Sequence, residues 1–272
     1  LNEASKYITD DGVIEVIKDV SITFKQKIID DEGNKNITLN LNGHKVTTTQ
    51  SIENDSNLTI KDTSDDKAGT LNFTKYDGIK NNNNLIIESG NYNSKTNTIV
   101  NNDGEVIIAD GKFNTTKTVI NNVKGTITVN DGLIEQSVDA IINKGTTYIK
   151  GGTINASHDG ITNDYGCNQT VLDGGEVIAT NQGINGGKCS VTVNDGNITS
   201  TNGYGIYVYD GNLYVNGGTI TSLNNYGVDV HRDMIMNGGT IKGTTGVHNA
   251  IWCNAYICYY GKITINDGIF FN

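Results

Sequence analysis

The sequence predicts an all-β fold: a single-stranded right-handed parallel β-helix (solenoid) of about 11–12 coils with a short N-terminal cap. Three observations predict it. A glycine-anchored phrase recurs at a nearly constant interval, each repeat holds three short stretches of alternating apolar residues, and the segments between them are too short for a helix of about ten residues. Because one coil cannot bury its apolar row alone, stacked coils must supply the core.

The anchoring phrase has two alternating apolar residues, a polar residue, Asp or Gly, and then Gly, as in IIADGKF and YVNGGTI. Its glycines are Gly90, Gly111, Gly132, Gly152, Gly175, Gly196, Gly218, Gly239 and Gly268. Their spacings are 21, 21, 20, 23, 21, 22, 21 and 29 residues. A coil is therefore about 21 residues long, and an insertion of roughly eight residues precedes the last anchor.

Two further strands complete each coil. The strand after each anchor carries Tyr92, Phe113, Ile134, Ile154, Val177, Ile198, Ile220, Ile241 and Phe270. The strand before each anchoring phrase carries the inward residues Ile79, Ile99, Val119, Ile141, Ile161, Ile184, Ile206, Val228 and Ile251. Turns of Asn, Asp and Gly separate the three strands, and the rest of the coil provides the crossover that parallel strands need.

Two turn features accompany the repeat. An asparagine ladder is predicted at Asn81, Asn101, Asn121, Asn143 and Asn163, continuing as Gly186, Val208, Val230 and Cys253. Asp-Gly pairs occur at Asp110, Asp131, Asp195 and Asp267. A binding stripe and a calcium site are the functional interpretations. Amide stacking in a turn, and a turn that requires a left-handed glycine, explain the two patterns better.

The whole chain, 1–272, is predicted to be one domain. It divides into an irregular segment 1–76 with the cap and first coils, regular coils at 77–246, an insertion at 247–261 and last strands at 262–272. Residues 2–8 are expected to form a short helix that covers the open end of the first coil.

The phrase Leu41-Asn42-Gly43-His44 and the later GGTI coils resemble the pectin-lyase-like superfamily, and within it bacterial adhesin-like cell-surface repeat proteins. The resemblance covers most of the chain. It implies the β-helical fold and a location outside the cell or at its surface, but it is weak for activity, because one fold carries many functions.

Composition narrows the function classes. The formal net charge is -10 and Arg232 is the single arginine, which argues against nucleic acid or an anionic membrane as partner. No apolar run approaches the ~20 residues of a membrane span. The cysteines form two candidate pairs, Cys167 with Cys189 and Cys253 with Cys258; four buried thiols are the alternative.

The candidate site lies where the outward residues change. On the strand before the anchoring phrase, the outward column runs Lys80, Val100, Ile120, Ile142, Thr162, Asn185, Tyr207, Asp229 and Trp252. Aromatic faces beside a few polar groups are typical of sugar recognition. The predicted ligand-binding residues are Tyr207, Tyr209, Asp229, His231, Arg232, Trp252, Asn254 and Tyr256. The alternative is that these aromatics only cover the last coils.

A second surface concerns assembly. Outward apolar residues at Ile86, Ile107, Ile120, Ile142 and Tyr148 predict either a lateral homo-oligomer or simple β-branched stiffening of a sheet.

The favoured function is a β-helix that binds a polysaccharide, cell-surface glycan or host surface, outside the cell or at its surface, with no cofactor and no metal. The resemblance also implies polysaccharide lyases, hydrolases and epimerases, the lyases with calcium. The weak catalytic candidates Asp229, His231 and Arg232 do not assemble the carboxylate pairs such enzymes need, although Asp229 and His231 share a strand face. The third alternative is a structural stalk or phage-type fibre.

Overall fold

The structure is a computed structural model and describes residues 11–28, 35–95, 97–244, 247–249, 252–253, 258–259 and 261–271. The side chains of residues 136, 247–249, 252–253 and 258–259 lie outside this description, as does the predicted cap at 2–8. The predicted right-handed parallel β-helix is confirmed: parallel strands form three sheets, and no helix occurs among the described residues.

The chain divides into two compact units, Leu1–Ser137 and Val138–Asn272. The strands of the N-terminal unit are β1 (Gly12–Glu15), β2 (Val20–Ile22), β3 (Gln26–Ile28), β4 (Asn36–Asn40), β5 (Lys45–Thr48), β6 (Ile52–Asn54), β7 (Asn57–Lys61), β8 (Thr70–Phe73), β9 (Ile79–Asn81), β10 (Asn84–Ile87), β11 (Asn91–Ser94), β12 (Val100–Asn102), β13 (Glu105–Ile108), β14 (Lys112–Thr115), β15 (Ile120–Asn122), β16 (Thr126–Val129) and β17 (Leu133–Ser137). The prediction of a single domain stays a prediction.

The strands of the C-terminal unit are β18 (Ile141–Asn143), β19 (Thr146–Ile149), β20 (Thr153–Ala156), β21 (Ile161–Asn163), β22 (Gln169–Leu172), β23 (Glu176–Ala179), β24 (Ile184–Gly187), β25 (Ser190–Val193), β26 (Asn197–Ser200), β27 (Ile206–Val208), β28 (Leu213–Val215), β29 (Thr219–Ser222), β30 (Val228–Val230), β31 (Met234–Met236), β32 (Thr240–Lys242), β33 (Val247–Asn249), β34 (Trp252–Cys253), β35 (Cys258–Tyr259), β36 (Ile263–Ile265) and β37 (Ile269–Phe271).

Each coil contributes one strand to each sheet. In the N-terminal unit, sheet A runs β1-β4-β7-β10-β13-β16, sheet B runs β2-β5-β8-β11-β14-β17, and sheet C runs β3-β6-β9-β12-β15. In the C-terminal unit, sheet A runs β19-β22-β25-β28-β31-β36, sheet B runs β20-β23-β26-β29-β32-β37, and sheet C runs β18-β21-β24-β27-β30-β33. Strands β34 and β35 pair with each other antiparallel.

Each of the nine anchoring glycines immediately precedes a strand of sheet B. Each has a positive φ, from 75° at Gly218 to 146° at Gly268. The aspartates of the predicted Asp-Gly turns each accept the N–H of the following glycine, at 2.6–2.8 Å. The turn interpretation of these pairs is therefore confirmed, because an aspartate bound to its own turn together with a left-handed glycine is what such a turn needs.

The asparagine ladder exists, but two of its predicted members are wrong. In the N-terminal unit the ladder consists of the buried amides Asn54, Asn81, Asn102 and Asn122, bonded in series at 2.7–3.0 Å. Asn101 and Asn121 point outward instead. In the C-terminal unit Asn143 and Asn163 form the predicted continuation, at 2.9 Å.

The cause is a corner position, where the chain turns out of sheet B, before each of the sheet C strands β9, β12, β15, β18, β21, β24, β27 and β30. The residues there are all buried: Gly78, Ile99, Val119, Ala140, Gly160, Gly183, Gly205 and Gly227. The next residue also points inward, so Val100 pairs with Ile79 on one side and with Ile120 on the other, and Ile99 and Val119 do not belong to this row. The prediction that Val100 and Ile120 point outward is wrong, since both are fully buried.

Candidate functional site

The outer face of sheet C in the C-terminal unit carries the predicted column. Backbone register places Thr162 beside Asn185, Asn185 beside Tyr207 and Tyr207 beside Asp229. The next partner of Asp229 is His248, so the expectation that Trp252 follows Asp229 in this column is wrong. β33 begins earlier than the repeat interval suggested, and the antiparallel pair β34–β35 follows it, so the inserted residues lie after this strand.

Four tyrosines gather around this column, and we call Tyr204, Tyr207, Tyr209 and Tyr226 the tyrosine cluster. The Tyr204 ring stacks near Tyr207 and Tyr226, with centroids 5.7 and 6.1 Å apart. Tyr207 meets the His231 ring edge-on at 5.6 Å, and Tyr209 lies 5.5 Å from the same ring. The rings are half-buried, so each keeps part of its surface accessible.

Asp229 is the strand partner of Tyr207 and is only 4% exposed. Its Oδ1 lies 3.4 Å from Nε2 of His231, and it accepts a hydrogen bond from the Tyr204 hydroxyl. Burial raises the pKa of Tyr204 and of Tyr207, and the charge of Asp229 raises both further. Both phenols therefore stay protonated and can donate to a ligand.

Nδ1 of His231 is buried and has no hydrogen-bond partner in the part of the chain that the structure describes. A buried nitrogen without a partner costs free energy, and such positions occur at functional sites. The predicted pairing of Asp229 with His231 is thus present, with the histidine held between two tyrosines.

Arg232 lies on the neighbouring turn, from sheet C into sheet A, and binds Asp210 of the preceding coil. Its Nε lies 2.7 Å from Oδ1 of Asp210, and its Nη2 contacts the same oxygen. A polar cavity of about 480 Å³ opens here. Its lining includes Lys188, Ser190, Asp210, Asn212, Arg232 and Asp233. Arg232 is therefore oriented toward this cavity by an ion pair that the sequence did not predict.

The remaining predicted site residues lie outside what the structure describes. Trp252 belongs to β34, paired with Tyr259 of β35, but the side chains of both are not described. Asn254 and Tyr256 are outside the described residues. Their assignment to the site stays a prediction.

Sequence reasoning missed a polar cluster at the other end of the same sheet. His158 Nδ1 lies 2.8 Å from Oδ1 of Asp139, and Asp159, 2% exposed, accepts the backbone N–H of Gln182 at 2.9 Å. Asp139 also accepts the backbone N–H of Asp159, at 3.1 Å. In the sequence these residues resemble ordinary turn aspartates before small corner residues, so no signal separates them.

Asp139, His158 and Asp159 offer ligand atoms that lie within 4.8 Å of one another, which is a spacing that a metal ion can use. Nδ1 of His158 and Oδ1 of Asp139 already bond to each other, and Oδ1 of Asp159 accepts hydrogen bonds from Asn181 and Gln182. The hydrogen bond to Asp139 and the charge of Asp159 raise the pKa of His158, against the opposing effect of its partial burial. The cluster is accounted for as a charged network, and the expectation of no metal site stays a prediction.

The predicted pair of Cys167 and Cys189 is confirmed as a disulfide, with Cα atoms 6.0 Å apart. It joins consecutive turns from sheet C to sheet A. Beside it, Nζ of Lys188 lies 5.3 Å from the centre of the exposed Tyr165 ring. Cys253 and Cys258 are opposite each other in the antiparallel pair, but their side chains are not described.

The predicted assembly surface is only partly present. Ile86 and Ile107 are adjacent on the outer face of sheet A, and Ile142 and Tyr148 are partly exposed in the C-terminal unit. Ile120 is fully buried and does not belong to this surface. A homo-oligomer through these residues stays a prediction.

No family model, curated protein or solved structure matches this chain. In the described part of the chain, no helix is long and apolar enough to span a membrane. The chain is therefore assigned to the parallel β-solenoid fold by its own structure, and functional arguments rest on its residues.

Proposed function

We propose that this β-helix binds a carbohydrate, such as a cell-surface glycan or polysaccharide, at the tyrosine cluster. The observation that carries the proposal is the stack of Tyr204, Tyr207 and Tyr226 beside a buried carboxylate. That carboxylate, Asp229, is bonded to Tyr204 and lies next to His231. Partly open aromatic faces stack on the C–H faces of sugars, while phenol and carboxylate groups pair with hydroxyls.

The charge of the chain favours a neutral glycan. The formal net charge is -10, and the buried Asp229 carboxylate lies among the groups beside the rings. An acidic polysaccharide would meet repulsion from Asp229, whereas a neutral sugar would gain a hydrogen-bond acceptor.

A location outside the cell or at its surface is part of the proposal. The Cys167–Cys189 disulfide supports it, since disulfides persist in oxidising surroundings. The sequence resemblance to pectin-lyase-like and adhesin-like repeat proteins supports the same setting and an adhesin-like role.

The test is a glycan array followed by calorimetry on the sugars that bind. Tyr207→Ala should weaken binding at least about fivefold, as the loss of one aromatic contact implies. Tyr148→Ala, which removes a partly exposed tyrosine from sheet A of the same unit, is the matched control and should bind like the wild type. An array without any bound glycan, or equal binding by Tyr207→Ala, contradicts the proposal.

A second candidate is a polysaccharide lyase or hydrolase at the same cluster, favoured by the contact of Asp229 with His231. It predicts that bound glycans are shortened on incubation, with new reducing ends or unsaturated sugars. His231→Ala should abolish that release while leaving binding measurable. Intact glycans after prolonged incubation contradict this candidate and leave the binding function in place.

A further inference from the structure

The polar cluster around Asp159 and the tyrosine cluster lie along one strip of the C-terminal unit. Asp159 sits at the turn from sheet B to sheet C, and its carboxylate collects side-chain donors from strands and turns of its own and the next coil. Asn181 donates at 2.8 Å, while Asn185 and Thr162 donate to the other carboxylate oxygen at 3.3 Å. The buried carboxylate thus fixes three surface side chains at once.

The hydrogen bonds to Asp159 determine which atoms of the two asparagine side chains face outward. Because Asn181 and Asn185 each turn the amide nitrogen toward Asp159, each carbonyl oxygen is turned away from it. Among the described residues, no donor reaches either oxygen. The strip therefore presents ordered acceptors beside Tyr207, which is the next residue in the same column as Asn185. Ordered acceptors select a ligand rich in hydroxyl donors.

The length of the strip follows from the number of strands that it crosses. Thr162, Asn185, Tyr207 and Asp229 are successive partners across four neighbouring strands of sheet C. Neighbouring strands are ~4.8 Å apart, so the column spans ~14 Å, enough for about three sugars of an extended chain. A ligand running along β27 would meet only one outward residue, Tyr207, before the strand ends.

The charges along the strip disfavour an acidic chain. Asp159 and Asp229 lie at the two ends of the strip, and His158, beside Asp159, is already bound to Asp139. A uronic acid or sulfated sugar on the strip would be repelled by these two carboxylates.

We infer that the site takes a linear neutral oligosaccharide that lies across the strands, with one sugar on the tyrosine cluster and the next sugars donating hydroxyls to Asn185 and Asn181. The inference rests on the proposed function, and it adds the substrate class and a second subsite. Asp159 is a positioning residue, since it is buried and acts through the two asparagines.

The test uses linear β-linked glucose and xylose oligomers of one to six sugars with the full chain in calorimetry. Affinity should rise at least about tenfold from one sugar to three or four and then level off. Asn185→Ala should weaken the longer oligomers about three- to tenfold, as the loss of one hydrogen bond implies, and should leave the single sugar unchanged. Tyr207→Ala should weaken every length.

Asn155→Ala, an exposed asparagine on sheet B of the same unit, is the matched control and should match the wild type at every length. Asn181→Ala repeats the test at the neighbouring side chain if Asn185→Ala melts early. Binding that depends on Tyr207 but is the same for every length overturns the extended site and leaves the proposed function standing. Failure of every oligomer to bind overturns this inference, and failure of the whole glycan array overturns the proposed function.

Discussion

Within each unit, consecutive turns from sheet C to sheet A are linked to each other, and the kind of link differs between the two units. In the N-terminal unit, the buried amides Asn54, Asn81 and Asn102 each donate to the next one in the series. In the C-terminal unit, the ladder ends at Asn163, whose Nδ2 has no partner among the described residues. The next coil places Gly186 in the ladder position and is held by the Cys167–Cys189 disulfide.

The outer face of sheet C differs in the same way. In the N-terminal unit it carries ion pairs, with Lys27 2.7 Å from Asp55 and Lys25 2.7 Å from Glu53. In the C-terminal unit the corresponding column carries Thr162, Asn185, Tyr207 and Asp229. The inward rows serve the core in both units, so the outward residues are where a ligand would distinguish them.

Exposed amide ladders add a contrast of direction. Asn194 donates to Asp173 at 2.7 Å. Asn216, Asn237 and Asn266 continue this ladder, and each donates to the ladder member of the preceding coil. A carboxylate can only accept, so Asp173 fixes the direction of the whole series. The buried ladder donates toward the C-terminus instead and also donates to backbone carbonyls, as Asn102 does to Gly104.

The largest expected effect comes from breaking the ladder in its middle. Asn102→Ala removes bonds to two neighbouring amides and to the carbonyls of Gly104 and Thr126, and we expect it to lower the free energy of unfolding by about 4 kcal/mol. Asn163→Ala should cost only about 1–2 kcal/mol, because its nitrogen is unpaired. Urea unfolding followed by circular dichroism measures both.

Asn101→Ala is the matched control for Asn102→Ala, since Asn101 is on the same strand but points outward. It should cost less than about 1 kcal/mol. Equal losses for Asn102→Ala and Asn163→Ala would show that the ladder contributes alike in both units and would remove this part of the comparison.

The sequence predicted the coil length and the three strands because glycine turns and apolar alternation are local features. It failed at the corner residues, where packing decides. A Cβ at Gly78 would clash with the carbonyl oxygen of Ile99 in the next coil and would lie 2.8 Å from the Phe73 ring, so both the neighbouring backbone and a large core residue favour glycine at this corner. The next coil has Ser94 in the place of Phe73 and Ile99 in the place of Gly78. Side-chain volume is thus divided between the sheet B strand and the corner residue in different ways in the two coils, and no single sequence phrase reveals this.

The candidate site was predicted in part for the same reason. Tyr207 and Asp229 are separated by one repeat, so their contact follows from the coil length. Tyr204 and Asp159 lie in turns, where their direction depends on the fold around them. Arg232 pairs with Asp210 of the preceding coil rather than with its sequence neighbours. Such contacts between coils depend on side-chain direction, which spacing alone does not give.

The disulfide provides the second prediction. Reducing it, or replacing both cysteines by serine, should lower the free energy of unfolding by about 3 kcal/mol, as closure of a loop of this size implies. The unfolding transition with and without reductant measures the loss. An unchanged free energy of unfolding would mean that the coils where the asparagine ladder ends do not need the disulfide to hold them together. The N-terminal unit has no cysteine, so hydrogen exchange should localise the loss to coils around residues 167–189.

The smallest expected effect is a dependence on pH that comes from His158 in the C-terminal unit. Hydrogen bonding to Asp139 and the charge of Asp159 raise the pKa of His158. The stabilisation is therefore fully present below the unfolded value of about 6.5 and is lost as pH rises through the folded value. Because the imidazole is 53% exposed, we expect less than about 1 kcal/mol.

An NMR titration of His158 should give a pKa above that of an unfolded histidine, and Asp139→Asn should return it toward the usual value. The stability difference between the wild type and His158→Gln should shrink from pH 6 to pH 8. His44 lies 3.6 Å from the exposed Asp19 in the N-terminal unit, and His44→Gln is the matched control. A His158 pKa at or below about 6.5 contradicts the charged network and would reopen the three groups as ligands for a metal ion.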